Sequence, residues 1–249
     1  MSDADPTPVV GLNAVESLLK TAPRQIDQLL VAGQRRDKRV QALVTLARNQ
    51  GVVIAEVSSE DLSARCGHQR HQSVLALYRG SPPRTERQLL SDLAARAEPW
   101  LVLALDEVQD PHNLGACLRS AAAAGVDAVI IPRDNAVGVT PVVQKVSAGA
   151  AAVVPLYQVT NLVRTLTALK SQGAWLYGAA GAGEETLYDV DFKSSSVIVM
   201  GSEGQGLRRR TQATCDVLYR IPMRGDVESL NVSVACGVSL FEARRQRGG

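Results

Sequence analysis

The sequence predicts an α/β protein in two parts: a small N-terminal α/β unit over residues 1–80 and a larger C-terminal domain over 100–249 built on a parallel sheet. Three observations carry this. From Trp100 onward, short apolar runs alternate in regular order with segments whose apolar residues recur every three or four positions, the pattern of a parallel sheet covered on both faces. The first eighty residues show the same alternation on a smaller scale. Between the two, Ser81-Pro82-Pro83 and a polar, charged stretch to Pro99 interrupt the pattern, which sets a linker at 81–99 with room for one helix. A chain of 249 residues is long enough for two such domains.

In the N-terminal part, residues 13–20 read as a short helix and 26–32 as an apolar strand. A charged helix follows near 36–50 and is broken by Gly51. The β-branched run Val52-Val53-Ile54 then opens a second strand, and a third runs over 74–78. In the C-terminal part, strands are expected at 101–106, 128–131, 153–158, 175–178, 197–200 and 217–221. Helices are expected at 113–124, 141–149, 162–172, 207–213 and 231–247, and the alanine run at 121–124 marks a closely packed helix.

Composition narrows the function classes. Apolar residues make up 45%, enough for an ordinary core. Neither a long uncharged apolar run nor a charged-then-apolar leader is visible at the start, so membrane insertion and secretion are not expected and a cytoplasmic protein is. Cys66, Cys117, Cys215 and Cys236 form no C-x-x-C pair, and His68, His71 and the distant His112 lack a carboxylate or cysteine partner, so no metal site is expected. The formal net charge of +2 falls short of the basic excess of a dedicated nucleic-acid binder. Its distribution is more informative: Arg35, Arg36, Lys38 and Arg39 form one basic cluster, Arg208, Arg209 and Arg210 a second, and Arg244, Arg245 and Arg247 a third. Each has the charge to bind phosphate, and each equally fits a solvated helix face.

Three segments place small or polar residues where a strand ends and a turn or helix begins, which is where open α/β sheets bind ligands. In the first, 106–120, Asn113 can cap a helix whose Leu114, Leu118, Ala121 and Gly125 form an apolar stripe. Arg119 shares a face with Gly115, four residues earlier. In the second, 200–207, glycines at 201, 204 and 206 let a ligand approach the backbone, and Glu203 is a costly choice for a mere turn; the spacing is not that of a dinucleotide fingerprint. In the third, 221–235, a strand ends, a polar loop intervenes, and Ser229 or Asn231 begins a helix with Leu230, Val234, Val238 and Phe241 spaced for burial. Taken singly, Arg119 reads as a solvated charge and Ser229 and Asn231 as caps.

Together the three segments resemble the signature motifs of the SpoU methyltransferases, a branch of the trefoil-knotted methyltransferases. N-L-G-x-x-x-R stands at 113–119, G-S-E-G-x-G at 201–206 and S-L-N-V-S-V-A at 229–235, in the family's order. The resemblance implies a knotted, Rossmann-like methyltransferase domain over 100–249 and a ribosomal-protein L30e-like RNA substrate-binding domain over 1–80. It implies transfer of a methyl group from S-adenosyl-L-methionine to a ribose 2′-hydroxyl of RNA, with no metal. Gly201, Ile221, Met223 and Leu230 would form much of the cofactor pocket, with Ala180 and Gly181 at its border. Asn113, Arg119, Glu203, Ser229 and Asn231 would hold the catalytic and RNA-positioning roles. Arg119 is often given the role of base in this family, but a guanidinium pKa above about 12 keeps it protonated, so its expected role is to orient the ribose and steady the developing charge on the 2′-oxygen. A homodimer packed through the knot helices, with Arg119 reaching the partner's site, is also implied.

Within the family the chain is similar to members that methylate a guanosine in the peptidyl-transferase P loop of large-subunit rRNA, on His71-Gln72, residues 110–113 and the tail 240–247. The expected partner is that rRNA or an assembling ribosomal subunit. Two other readings stay open: a tRNA ribose methyltransferase of the same family, against which a full N-terminal domain counts, and a non-catalytic ribosome-assembly factor, against which the intact Asn113, Arg119, Glu203 and Asn231 count.

Overall fold

Residues 6–32, 37–66, 71–79, 83–225 and 227–248 are described by a computed structural model. Arg35, Arg36, His68, Ser81 and Pro82 lie outside the described residues. The chain divides into two compact units, one comprising 1–82 with 139–153 and the other 83–138 with 154–249.

In the first unit the elements are β1 (Thr7–Val10), α1 (Leu12–Thr21), β2 (Ile26–Ala32), α2 (Lys38–Asn49), β3 (Ile54–Val57), α3 (Ser59–Cys66) and β4 (Val74–Tyr78). The four strands form one sheet in the order β1-β4-β2-β3; β1 and β2 run antiparallel to β4, and β3 parallel to β2. Val15, Leu18, Leu43 and Ala47 of α1 and α2 meet Leu29 and Ala76 in one buried cluster, while Leu62 of α3 joins Leu30 and Leu75 in another. Sequence patterning had not marked β1 or α3. The first is a four-residue strand containing Pro8, and proline weakens any strand signal. For α3 a signal exists: the Ser58 hydroxyl accepts the Asp61 N–H at 3.0 Å, a serine-to-acid cap at helix-start spacing.

His71-Gln72, one of the stretches on which the narrower resemblance rests, has a structural job within this unit. The Gln72 side-chain carbonyl accepts the Leu12 N–H at the start of α1 at 2.9 Å, and the buried His71 ring accepts the Ser73 N–H at 3.0 Å. These bonds hold Gln72 and Ser73 at positive φ ahead of β4.

The second unit holds β5 (Arg84–Thr85), α4 (Glu86–Ala94), β6 (Leu101–Leu105), α5 (Pro111–Ala124) and β7 (Ala128–Pro132). Next in the chain, α6 (Pro141–Val146) belongs to the first unit, where it packs against β1. The second unit resumes with β8 (Leu156–Val159), α7 (Leu162–Ser171), β9 (Trp175–Ala179), β10 (Glu185–Thr186), β11 (Ser196–Met200), α8 (Arg209–Thr214), β12 (Val217–Arg220) and α9 (Val232–Gln246). Among the described residues this sheet's strands pair in parallel throughout, in the order β10-β12-β9-β11-β6-β7-β8-β5. Every residue of β6, β7 and β11 is buried, as uninterrupted apolar runs require when helices cover both faces.

The expected linker is corrected here. Residues 84–85 form the sheet's edge strand beside β8, and α4 follows with a full capping box between Thr85 and Gln88. Leu89 and Leu93, four residues apart, drive α4 into the core.

From β6 the chain moves outward in one direction through β7 and β8; it then returns on the other side, where β11 sits between β9 and β6 and β12 beyond β9. The β6–β11 boundary is therefore the topological switch point, where the loops at the carboxyl ends diverge and leave a crevice. On one face α5 packs along α9, with Leu114, Leu118 and Leu240 fully buried.

Candidate active site at the switch point

The segments singled out by sequence leave the carboxyl ends of four adjacent strands. Asn113 follows β6, Glu203 follows β11, Ala180 and Gly181 follow β9, and Ile221, Met223, Leu230 and Asn231 follow β12. Strand order thus gathers residues that are up to 118 positions apart.

Three of them are joined. The Asn113 amide donates to Glu203 Oε2 at 2.9 Å; the Asn231 amide donates to Asn113 Oδ1 at 3.0 Å and to Glu203 Oε1 at 3.2 Å. Local structure dictates which way each amide points. Asn231 is the N-cap of α9, and its Oδ1 accepts the Ser233 N–H at 2.9 Å and the Ser233 hydroxyl at 2.6 Å. With Oδ1 committed, the NH2 must face inward, which makes Asn113 offer its oxygen to Asn231 and its own NH2 to the carboxylate. The sequence reading of Asn113 as a cap is corrected: Asp110 caps α5, accepting from His112 N–H at 3.0 Å, with Pro111 at the first helical position. That leaves the buried Asn113 side chain free for the site.

Glu203 is carried by a loop that closes on itself. The Ser202 N–H donates to Gly206 O at 3.1 Å and the Gly206 N–H to Ser202 O at 2.9 Å. A Cβ on Gly201 would overlap the backbone of Gly206 and Leu207, while Gly204 and Gly206 stand at φ +84° and +67°. The three glycines are therefore the condition for a turn tight enough to aim one carboxylate back at α5 and α9.

One supporting pair escaped the sequence reading. Asp106, at the end of β6 and 1% exposed, pairs with Arg208 at 2.6 Å and also accepts the Arg208 backbone N–H at 3.1 Å. This bolts the exit of the glycine loop to the strand that leads to Asn113. The signal in the sequence was an aspartate ending an apolar strand, but nothing local identifies an arginine 102 residues away as its partner.

The other candidates stand apart from the network. Arg119 lies on the exposed side of α5, about 120° round the helix from Asn113 at ~100° per residue, and its side chain makes no hydrogen bond or ion pair among the described residues. Ser229 is exposed, two residues before the α9 cap. Ile221, Met223, Leu230 and Ala180 are half-buried, Gly201 is buried and Gly181 exposed. Among the described residues, the backbone of 221–225 and 227–230 makes no hydrogen bond to other backbone. Its N–H and C=O groups, interleaved with half-buried apolar side chains, suit the edge and face of an adenine. Among the described residues, no group of three or more His, Cys, Asp and Glu side chains is placed to hold a metal ion, and no helix is long and apolar enough to cross a membrane.

Two family models match the chain: the SpoU rRNA Methylase family over residues 100–241, and RNA 2′-O ribose methyltransferase substrate binding over residues 8–84. The chain is 48% identical over 239 residues to the 23S rRNA (guanosine-2′-O-)-methyltransferase RlmB of Coxiella burnetii, covering 96% of this chain and 95% of that protein. It is also 48% identical over 240 residues to the Pseudomonas aeruginosa protein of the same name, covering 96% of each. Among solved structures it resembles the SpoU methyltransferase AviRb from Streptomyces viridochromogenes in complex with AdoMet, at TM-score 0.78 and 24% identity over 97% of this chain and 91% of that one. An A. aeolicus TrmH/SpoU tRNA modifying enzyme aligns at TM-score 0.54 and 30% identity, over 66% of this chain and 84% of its own.

Proposed function

The chain belongs to the SpoU rRNA methylase family, and on that premise we propose that it methylates the ribose 2′-hydroxyl of a guanosine in the peptidyl-transferase P loop of 23S rRNA, using S-adenosyl-L-methionine. The single observation that carries the reading is the Asn113–Glu203–Asn231 network at the switch point, which ties the family's three motifs into one crevice. The full-length likeness to relatives named for 23S rRNA favours that substrate, whereas the tRNA enzyme's structure leaves a third of this chain unmatched.

S-adenosylmethionine, when bound, supplies a methyl group made electrophilic by its sulfonium. Gly201, Ile221, Met223 and Leu230, bordered by Ala180 and Gly181, hold it through main-chain groups and apolar contacts. Methyl transfer is an in-line displacement, so the chain's main task is alignment of the attacking oxygen. Asn113, Glu203 and Asn231 lock three loops into one geometry for that purpose, and Ser229 sits on the last of them, beside the sugar. Arg119, cationic at any working pH, holds the ribose and its neighbouring phosphate and steadies negative charge as it grows on the 2′-oxygen.

The site is completed in a homodimer of knotted domains. Val234 and Phe241, seven residues apart on one side of α9, are each 51% exposed, although their spacing in the sequence fits burial. The unpaired Arg119 serves the partner's crevice. The first unit grips the RNA, and the protein works in the cytoplasm on rRNA or on an assembling large subunit.

The test is methylation of a 23S rRNA transcript and of bulk tRNA with labelled S-adenosylmethionine, followed by mapping of 2′-O-methyl positions. One mark on a P-loop guanosine is expected; a mark confined to tRNA, or S-adenosylmethionine binding with no transfer to any RNA, would overturn the reading.

A further inference from the structure

Beside the crevice, on the same carboxyl edge of the sheet, lies a cavity of about 600 Å³ that the reaction does not use. Its walls are the ends of β6, β7 and β8 and the start of α8, including Arg164, Arg208, Arg209, Arg210, Asn161 and Asn135. We infer that this cavity is a second RNA subsite, which takes the backbone phosphate of a nucleotide flanking the methylated one. The inference rests on the RNA methyltransferase reading above and deepens it.

Four arginines line one cavity, and they are not equivalent. Arg208 is committed to Asp106 and Glu107, and Arg164 pairs with Glu86 at 2.6 Å. Arg209 and Arg210 are exposed, and their guanidiniums make no hydrogen bond or ion pair among the described residues. Two acidic side chains also line the cavity: Glu107 is taken up by Arg208 at 2.7 Å and by the Asn135 amide at 3.3 Å, and Asp134 faces Arg133 at 3.6 Å. Arg208 thus answers two carboxylates, Asp106 and Glu107, and Arg133 answers Asp134, so the guanidiniums at 209 and 210 are the two without an acid partner among the described residues and leave the lining net positive. A guanidinium is a planar fork of donors matched to phosphate oxygens.

Position supports the same ligand. Arg208 is fixed to the end of β6 by Asp106, and only Leu207 separates it from the glycine loop that carries Glu203. From β6 to β8 is two strand spacings, on the order of 10 Å, so an RNA strand presenting its 2′-hydroxyl at the crevice passes the cavity within neighbouring nucleotides. In the third basic cluster, by contrast, Arg245 is held by Glu242 and Arg247 by the carbonyls of Pro99, Trp100, Phe192 and Ser194.

The experiment compares the full-length protein with the Arg209→Ala/Arg210→Ala double variant and with Arg87→Ala, which removes an exposed charge outside the cavity. RNA affinity is measured across a salt series, S-adenosylmethionine affinity by calorimetry, and turnover by methyl transfer to a 23S rRNA fragment. The double variant should bind RNA roughly 10- to 50-fold more weakly at about 0.1 M salt, with a salt slope shallower by about 0.7–0.9 per lost phosphate contact. KM for RNA should rise while kcat stays near wild type, S-adenosylmethionine affinity should hold, and Arg209→Lys/Arg210→Lys should recover part of the loss. Arg87→Ala should change RNA affinity less than twofold. An unaltered salt slope, an equal effect from Arg87→Ala, or a joint loss of S-adenosylmethionine binding would each overturn the subsite. If the wild type itself transfers no methyl group to RNA, it is the proposed function that fails, and RNA affinity still tests the subsite.

Discussion

Replacing Asn231 with Asp separates its two jobs. Aspartate caps helices about as well as asparagine, so α9 should start where it does now. The inward NH2, however, becomes a carboxylate oxygen facing Glu203 Oε1, at the place of a 3.2 Å hydrogen bond. At that separation two unit charges repel by about 1 kcal/mol in water and about 5 kcal/mol at an effective dielectric of about 20. Since both groups are exposed, the lower end applies, and the lost hydrogen bond to a charged group adds about 1.5–3 kcal/mol. The glycine loop relieves the strain by swinging away, so the cost of about 2.5–4 kcal/mol falls on the aligned site rather than on the fold. At ~1.36 kcal/mol per factor of ten, that is roughly a 70- to 900-fold drop in kcat/KM. Asn231→Ala, which loses the cap as well, should instead lower stability by about 1 kcal/mol through α9. Methyl-transfer kinetics and thermal melts of both variants provide the comparison. If Asn231→Asp kept kcat/KM within about twofold of wild type, the network would be a helix cap with incidental neighbours and the argument for the site would fail.

Two further outcomes follow from the same structure. Arg119→Lys keeps the charge and loses the planar fork, so most turnover should disappear while S-adenosylmethionine affinity, measured by calorimetry, changes little; full activity would remove Arg119 from the reaction. Glu242 accepts both Arg245 Nε and Nη2 at 2.8 Å and Gln246 Nε2 at 2.9 Å, and the Arg245 guanidinium, followed by Gln246, pulls its carboxyl from 4.5 down to about 2. A depressed carboxyl stabilises the fold above its unfolded value and loses that contribution as pH falls from about 4.5 toward about 2. In acid melts over that window Glu242→Gln should therefore flatten the decline in stability, by no more than about 1 kcal/mol because Arg245 is solvent-exposed; an unchanged slope would show that the pair contributes nothing.

The amino-acid sequence by itself determined the α/β class, most helix and strand positions, and the three segments that matter, because each of these is written locally. Apolar runs such as 101–105 are legible as strands buried on both faces, and glycines at 201, 204 and 206 announce a turn that no other residue can make. Where local rules competed, the reading failed: Asn113 looked like a cap although Asp110 and Pro111, three and two residues earlier, start α5, and 81–99 looked like a linker because the strand it contains is two residues long.

Only the tertiary structure decided which of these residues meet. Inserting β11 between β9 and β6 brings Glu203 to Asn113 across 90 positions, and Arg208 to Asp106 across 102. The order in which parallel strands lie side by side is set by the crossovers and by how helices pack on each face, none of which leaves a trace at the residues that end up bonded. The same holds for the cavity lined by Arg209 and Arg210: in the sequence they are three arginines in a row, and only the folded sheet shows that two of them have a cavity to face and no acid to answer.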